Sequence, residues 1–167
     1  MIKVIIAAGF VLVLAAAFAA AQGGRPPHIK RTNPATLSTP TGYTHVVEVS
    51  GPVRTIYIAG QIALDHDGKV IGAGDMKEQA EQVFKNLQSA LTAAGAKFSD
   101  VVKMNTYVTD MQQAPAVREV RARYFGDSTP ASTLVQVARL ARPELMIEVE
   151  VIAAVQENAR VVPAAAR

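Results

Sequence analysis

The chain has no cysteine and no tryptophan, and its 167 residues include only four tyrosines and five phenylalanines. Without cysteine there can be no disulfide staple, no thiolate metal site and no lipoprotein anchor, so stability has to come from packing and oligomerisation. So few aromatic rings leave no stacking platform for single-stranded nucleic acid. Charge of one sign is scarce as well. Seventeen basic against fourteen acidic residues give a formal net charge of +3, too small to imply a nucleic-acid partner. The three histidines, His28, His45 and His66, fall on an arm, a strand start and a turn, with no spacing that suits a metal. The sequence also lacks a G-x-S-x-G nucleophile elbow, a phosphate loop and a dinucleotide glycine fingerprint. No metal and no cofactor are expected.

The one long hydrophobic run stands at the start, in "MIKVIIAAGFVLVLAAAFAAAQ". Lys3 gives it a positive beginning, Val4 to Phe18 an apolar core, and Ala19 and Ala21 an A-x-A signature before Gln22. That is the pattern of a secretory signal peptide over residues 1–21, cleaved after Ala21. The alternative is an uncleaved anchor, since the run is nearly long enough to span a bilayer. Small residues at its end and no basic stop before Arg25 favour cleavage. The expected location is periplasmic or secreted, with no stable membrane association afterwards.

Residues 22–41 are rich in proline and glycine and read as a linker or an arm over the surface. Residues 42–156 read as one domain, and 157–167 as a frayed tail. Within the domain, Tyr43 to Ser50 and Val53 to Ala59 read as two strands, and Asp67-Gly68 as a turn. Asp75 is a good helix N-cap. Met76, Ala80, Val83, Phe84, Leu87, Leu91 and Ala94 then share one helical face, and Gly95 stops it. "DVVKMNTYVT", Asp100 to Thr109, reads as a strand with Val102, Met104, Thr106 and Val108 on one side and Lys103, Asn105 and Tyr107 on the other. A second helix runs from Ala114 or Pro115 to Phe125. Ser132 to Ala138 reads as a strand, and so does "ELMIEVEVIAAV". The order is ββαβαββ, an α+β domain with both helices on one face of a sheet.

Glu148 and Glu150, two apart on a strand, project from the same face. A solvated face explains such a pair, but Met146 and Ile152 bracket it with apolar side chains. Partial burial penalises a charged carboxylate, which suits a general acid or base. Asp65, His66 and Asp67 could imitate a metal cluster, yet a hairpin turn accounts for them. Arg118, Arg121 and Arg123 cluster on the second helix. Arg118 and Arg121, three apart, share a face and could bind an anion, the alternative being a solvated face paired with Glu119.

The stretches "GYTHVVEVS", "TIYIAGQIALD", "QAEQVFKNLQSALTAAGAKFSDVVKMNTYVTDM", "VREVRARYFG", "PASTLVQVARL" and "MIEVEVIA", in this order, resemble the RidA family, also called YjgF or L-PSP. The resemblance implies a chorismate-mutase-like fold with a mixed sheet, assembled as a homotrimer with small-molecule clefts at its subunit interfaces. It also implies hydrolysis of reactive enamines and imines to a 2-oxo acid and ammonia, without metal or cofactor. Residue by residue, Tyr43 matches the tyrosine lining the cleft, Gly60 and Gln61 match the family's "SGQ" motif, and Glu148 matches the glutamate that positions water or shuttles a proton. Three positions depart from the family. Ala59 stands for the serine of "SGQ", Arg118 for an asparagine, and Ser132, on the frame fixed by "VARL", for the arginine that grips the substrate carboxylate. A hydroxyl offers one neutral hydrogen bond where a guanidinium offers a charge-assisted pair, a loss of roughly 1.5–3 kcal/mol of anion binding. Arg139, seven residues further along, is expected to point to the opposite face and not to replace it. Three functions follow from these residues: an exported imine hydrolase, a non-catalytic trimeric module for a small ligand or a surface partner, and, on family grounds, a ribonuclease or RNA-binding protein.

Overall fold

A computed structural model describes residues 28–156. The expected signal peptide, the first six residues of the arm and the expected tail lie outside the described residues. In chain order the elements are β1 (His28–Thr32), β2 (Val46–Ser50), β3 (Val53–Ile62), α1 (Met76–Ala93), β4 (Val101–Val108), α2 (Ala114–Phe125), β5 (Ala131–Gln136) and β6 (Ile147–Gln156).

Helix α1 forms where the sequence signals it. The Asp75 carboxylate accepts a hydrogen bond from the Glu78 amide at 3.0 Å, which satisfies one of the orphan donors of the first turn. Gly95 ends the helix at φ +69°, a conformation that only glycine adopts without strain. Met76, Ala80, Val83, Phe84, Leu87 and Leu91 are all buried, as the 3.6-residue period requires. Gln79 shares that face and is fully buried too. Its amide donates to the Glu144 carbonyl at 2.6 Å and accepts from the Met146 amide at 2.8 Å, which pins the loop entering β6.

The four-stranded sheet has the order β3-β6-β4-β5. β6 is antiparallel to both β3 and β4, whereas β4 and β5 run parallel, as the intervening α2 crossover demands. Along β6 and the two residues that lead into it, Leu145, Ile147, Val149 and Val151 are buried against the helices while Met146, Glu148, Glu150 and Ile152 turn to the other face. Between sheet and helices, Phe84 stacks on Tyr124 with ring centroids 5.2 Å apart and meets Phe98 and Phe125 at 6.2 and 6.3 Å.

Several boundaries differ from the sequence expectations. The arm is not a bare linker. His28–Thr32 pairs antiparallel with β2, and Arg31 donates to the carbonyls of Thr129 at 3.1 Å and Ser99 at 3.0 Å, which ties the arm to the body. The strand expected from Tyr43 begins at Val46, and Thr44 makes an isolated parallel bridge to Ala131 instead. In β4 a register shift between Val101 and Lys103 buries Val101 in place of Val102. β5 ends at Gln136, so Arg139 lies in the following loop and strand alternation says nothing about it. Asp65 organises its own turn, accepting from the amides of Asp67 and Lys69 at 3.0 and 2.9 Å.

Candidate active site

The residues singled out from sequence fall into two groups on opposite faces of the sheet. Glu148 is paired in register with Tyr107, and Glu150 with Asn105. Directly opposed residues share a face, so all four side chains leave the face turned away from the helices. The Asn105 amide and the Tyr107 hydroxyl donate to Glu150 Oε1 at 2.8 and 3.0 Å. That bond favours the protonated phenol and raises the Tyr107 pKa. Glu150 is thus engaged, whereas no described side chain holds Glu148.

Glu148 lies instead over the backbone of Gly60. A Cβ added at Gly60 would collide with the Glu148 Oε1 and come within 2.7 Å of its Cδ. Gly60 does not have a positive φ, so what it supplies is space. The register between β3 and β6 shifts between Ile58 and Gln61, placing Ala59 and Gly60 in a bulge beside the carboxylate. The Gln61 amide closes the bulge by donating to the Ala59 carbonyl at 3.1 Å. Ala59 also lines a cavity of about 370 Å³ on this face, with Tyr57, Lys103, Asn105, Glu150 and Ile152.

The second group lies on the helix side of the edge strand β5. Tyr43, Arg118 and Ser132 line a cavity of about 190 Å³ together with Thr41, Arg121 and Leu134. Ser132 and Leu134 are paired with Met104 and Thr106, both buried under the helices, while Thr133 between them turns outward to accept from Lys103 Nζ at 2.7 Å. Arg118 is exposed at the rim and Arg121 is buried. Neither pairs with Glu119, whose carboxylate takes Lys77 at 2.7 Å, while Arg123 pairs with Glu81. Of the solvated, Glu119-paired face considered for these arginines, Arg118 keeps the solvation without the pairing and Arg121 has neither.

A family model described as Endoribonuclease L-PSP matches residues 34–155, nearly the whole described chain. The chain belongs to the RidA/YjgF (L-PSP) family. Among RidA-family relatives, a 2-iminobutanoate/2-iminopropanoate deaminase of Mus musculus is 40% identical over 111 residues, covering 66% of this chain and 79% of the relative. A RutC family protein of Pyrococcus horikoshii is 43% identical over 98 residues, covering 59% and 77%. The crystal structure of a Rid-family protein from Yersinia pestis superposes with a TM-score of 0.71 at 36% identity, covering 76% of this chain and 98% of that one.

Of the residues expected in one cleft, the structure brings Tyr43, Arg118 and Ser132 to one cavity, where Arg121 joins them, and sets Ala59, Gly60 and Glu148 together on the other face of the sheet. The three-residue spacing of Arg121 to Arg118 was the signal that it belongs in that cavity. Gly60 gives a direct test of the carboxylate's placement. Gly60→Ala is expected to push the Glu148 carboxylate aside and, if that carboxylate handles a proton in a reaction, to lower kcat/KM by roughly tenfold or more. Its urea midpoint should stay close to that of the parent chain, since the displaced atoms end a flexible side chain.

Proposed function

We propose that this RidA-family chain is an exported imine hydrolase that works as a homotrimer. The observation that carries the reading is the Glu148 carboxylate, set over the Gly60 bulge and held by no described side chain, so that it is free to handle a proton. In the reaction, water adds to the C=N carbon of a 2-imino acid while Glu148 takes one of its protons and passes it to nitrogen, giving a carbinolamine. Glu148 then moves the remaining hydroxyl proton to nitrogen as the C–N bond breaks and C=O forms, which leaves a 2-oxo acid and ammonia. The deaminase name of the mouse relative supports the same chemistry. No cofactor is assigned a step.

The trimer belongs to this reading because one chain cannot assemble the site alone. Glu148 and the arginine-lined cavity leave opposite faces of one sheet, so both can reach a single substrate only when they come from different copies. The outer face suits such an assembly. Tyr57 is 77% exposed there and Val135 39%, apolar surface that a neighbouring copy would cover. Export rests on the pattern of residues 1–21.

The test is ammonia release from freshly generated 2-iminobutanoate or 2-iminopropanoate by the purified chain. A rate above buffer supports the reading. A rate equal to buffer, together with a ligand-dependent rise in melting temperature, would favour a binding module instead. An RNA-directed role finds little support in α2, where Arg121 is buried and Arg123 is ion-paired.

A further inference from the structure

Arg121 is a buried cation without a counter-ion among the described residues. Its side chain belongs to a residue only 7% exposed, and no described carboxylate lies within ion-pairing distance. Its one hydrogen bond is long, 3.4 Å to the Thr41 carbonyl. Burying a guanidinium in this way is costly unless a negative group completes it. Burial lowers the Arg121 pKa, and the nearby charge of Arg118 lowers it further. The chain therefore keeps two like charges side by side on one helix, with no carboxylate paired to either among the described residues.

The surroundings are shaped to hold Arg121 where it is. Gly42 has φ +75°, and a Cβ there would run into Arg121 Nη2 and lie 3.5 Å from Cζ, so the loop leaves room for the guanidinium. Both arginines line the same cavity of about 190 Å³, with the Tyr43 ring, the Leu134 side chain and the hydroxyl of Ser132. That volume lies below the range of about 300–1,000 Å³ typical for drug-sized ligands and suits a small metabolite. The lining puts two planar cationic forks in one small, partly apolar slot, Arg121 buried within it and Arg118 exposed at its rim. A single carboxylate would leave one fork uncompensated.

We infer that Arg121 and Arg118 form a twin-cation clamp for a small dicarboxylate, the 2-imino or 2-oxo derivative of an acidic amino acid. Arg121 takes the inner carboxylate and Arg118, at the rim, the outer one, while Tyr43 and Leu134 cover the carbons between them. Inorganic phosphate is also a small dianion, but it has no carbon skeleton to fill the apolar part of the slot. The inference rests on the imine-hydrolase reading for its substrate class, but it concerns binding and can be tested without turnover.

The experiment measures binding of 2-oxoglutarate, 2-oxopentanoate and inorganic phosphate by calorimetry, using the full chain and its Glu148→Gln variant. The first two ligands differ in the outer carboxylate. The dicarboxylate is expected to bind roughly ten- to a hundredfold tighter than 2-oxopentanoate, the worth of one charge-assisted pair. Arg118→Gln, a substitution at the exposed rim, should abolish that preference while leaving 2-oxopentanoate binding within about twofold of the parent. Arg121→Lys keeps the charge but loses the fork, and should weaken both ligands. Equal affinities for the two acids, no binding of either, a preference that survives Arg118→Gln, tighter binding of phosphate, or indifference to Arg121→Lys would each overturn the inference. Failure of the clamp is distinguishable from failure of the hydrolase reading. Ammonia release from monocarboxylate imines without any dicarboxylate preference sinks the clamp alone, and a dicarboxylate preference without ammonia release sinks the hydrolase alone.

Discussion

Glu148→Gln is expected, on the proposed hydrolase reading, to reduce kcat for imine hydrolysis by roughly 10²–10⁴-fold, the range contributed by a positioned general acid or base. Glutamine keeps the length and shape of the side chain over Gly60 but can neither take a proton from water nor return one to nitrogen. KM should change little, because in the proposed site the substrate's anion is held by Arg118 and Arg121, which the substitution leaves intact. Stopped-flow measurement of ammonia release at saturating substrate checks the first point, and the substrate dependence checks the second. The parallel change at Glu150 separates proton transfer from packing. Glu150 is held by Asn105 and Tyr107, so Glu150→Gln would disturb that network without touching the reacting atoms. A loss of kcat confined to Glu150→Gln would move the catalytic assignment by one register step.

The largest effect on stability is expected at Phe84. Its ring is fully buried and in contact with Phe98, Tyr124 and Phe125, and so links α1, the turn before β4 and α2. Phe84→Ala removes the ring and leaves a cavity that these neighbours can only partly fill, at a cost of about 3–5 kcal/mol. With no disulfide to limit the unfolded ensemble, nothing covalent offsets that loss. Urea titration of parent and variant at one fixed protein concentration reads the difference, the fixed concentration being needed because assembly shifts apparent stability. A change below about 1 kcal/mol would mean that the core does not depend on this cluster.

Periodicity carried most of the fold. The face of α1, its Asp75 cap and Gly95 stop, and the alternation of β6 all follow from local physics, and the structure places them as that physics requires. What the sequence hid depended on distant partners. His28–Thr32 has no apolar signature of its own and becomes a strand because β2 offers an edge and Arg31 finds the carbonyls of Ser99 and Thr129. The bulge at Val101 that swaps Val102 out of the core arises from pairing with β6. In the site, the "EVE" alternation showed that Glu148 and Glu150 share a face, but only the register distinguished the engaged carboxylate from the free one. Arg121 was legible as half of a pair, while its burial depended on the glycine in the 41–43 loop, far away in sequence.

The opposed placement of Glu148 and the arginine cavity has a genetic consequence. If each working centre draws its acid from one copy and its cations from another, two chains that are each inactive, one lacking Glu148 and the other lacking Arg121, should restore activity when assembled together. With random mixing about a quarter of the centres receive both intact halves. By the same logic a single defective copy would disable only the centre to which it contributes the missing half, and damage to such an assembly would be graded and not all-or-none.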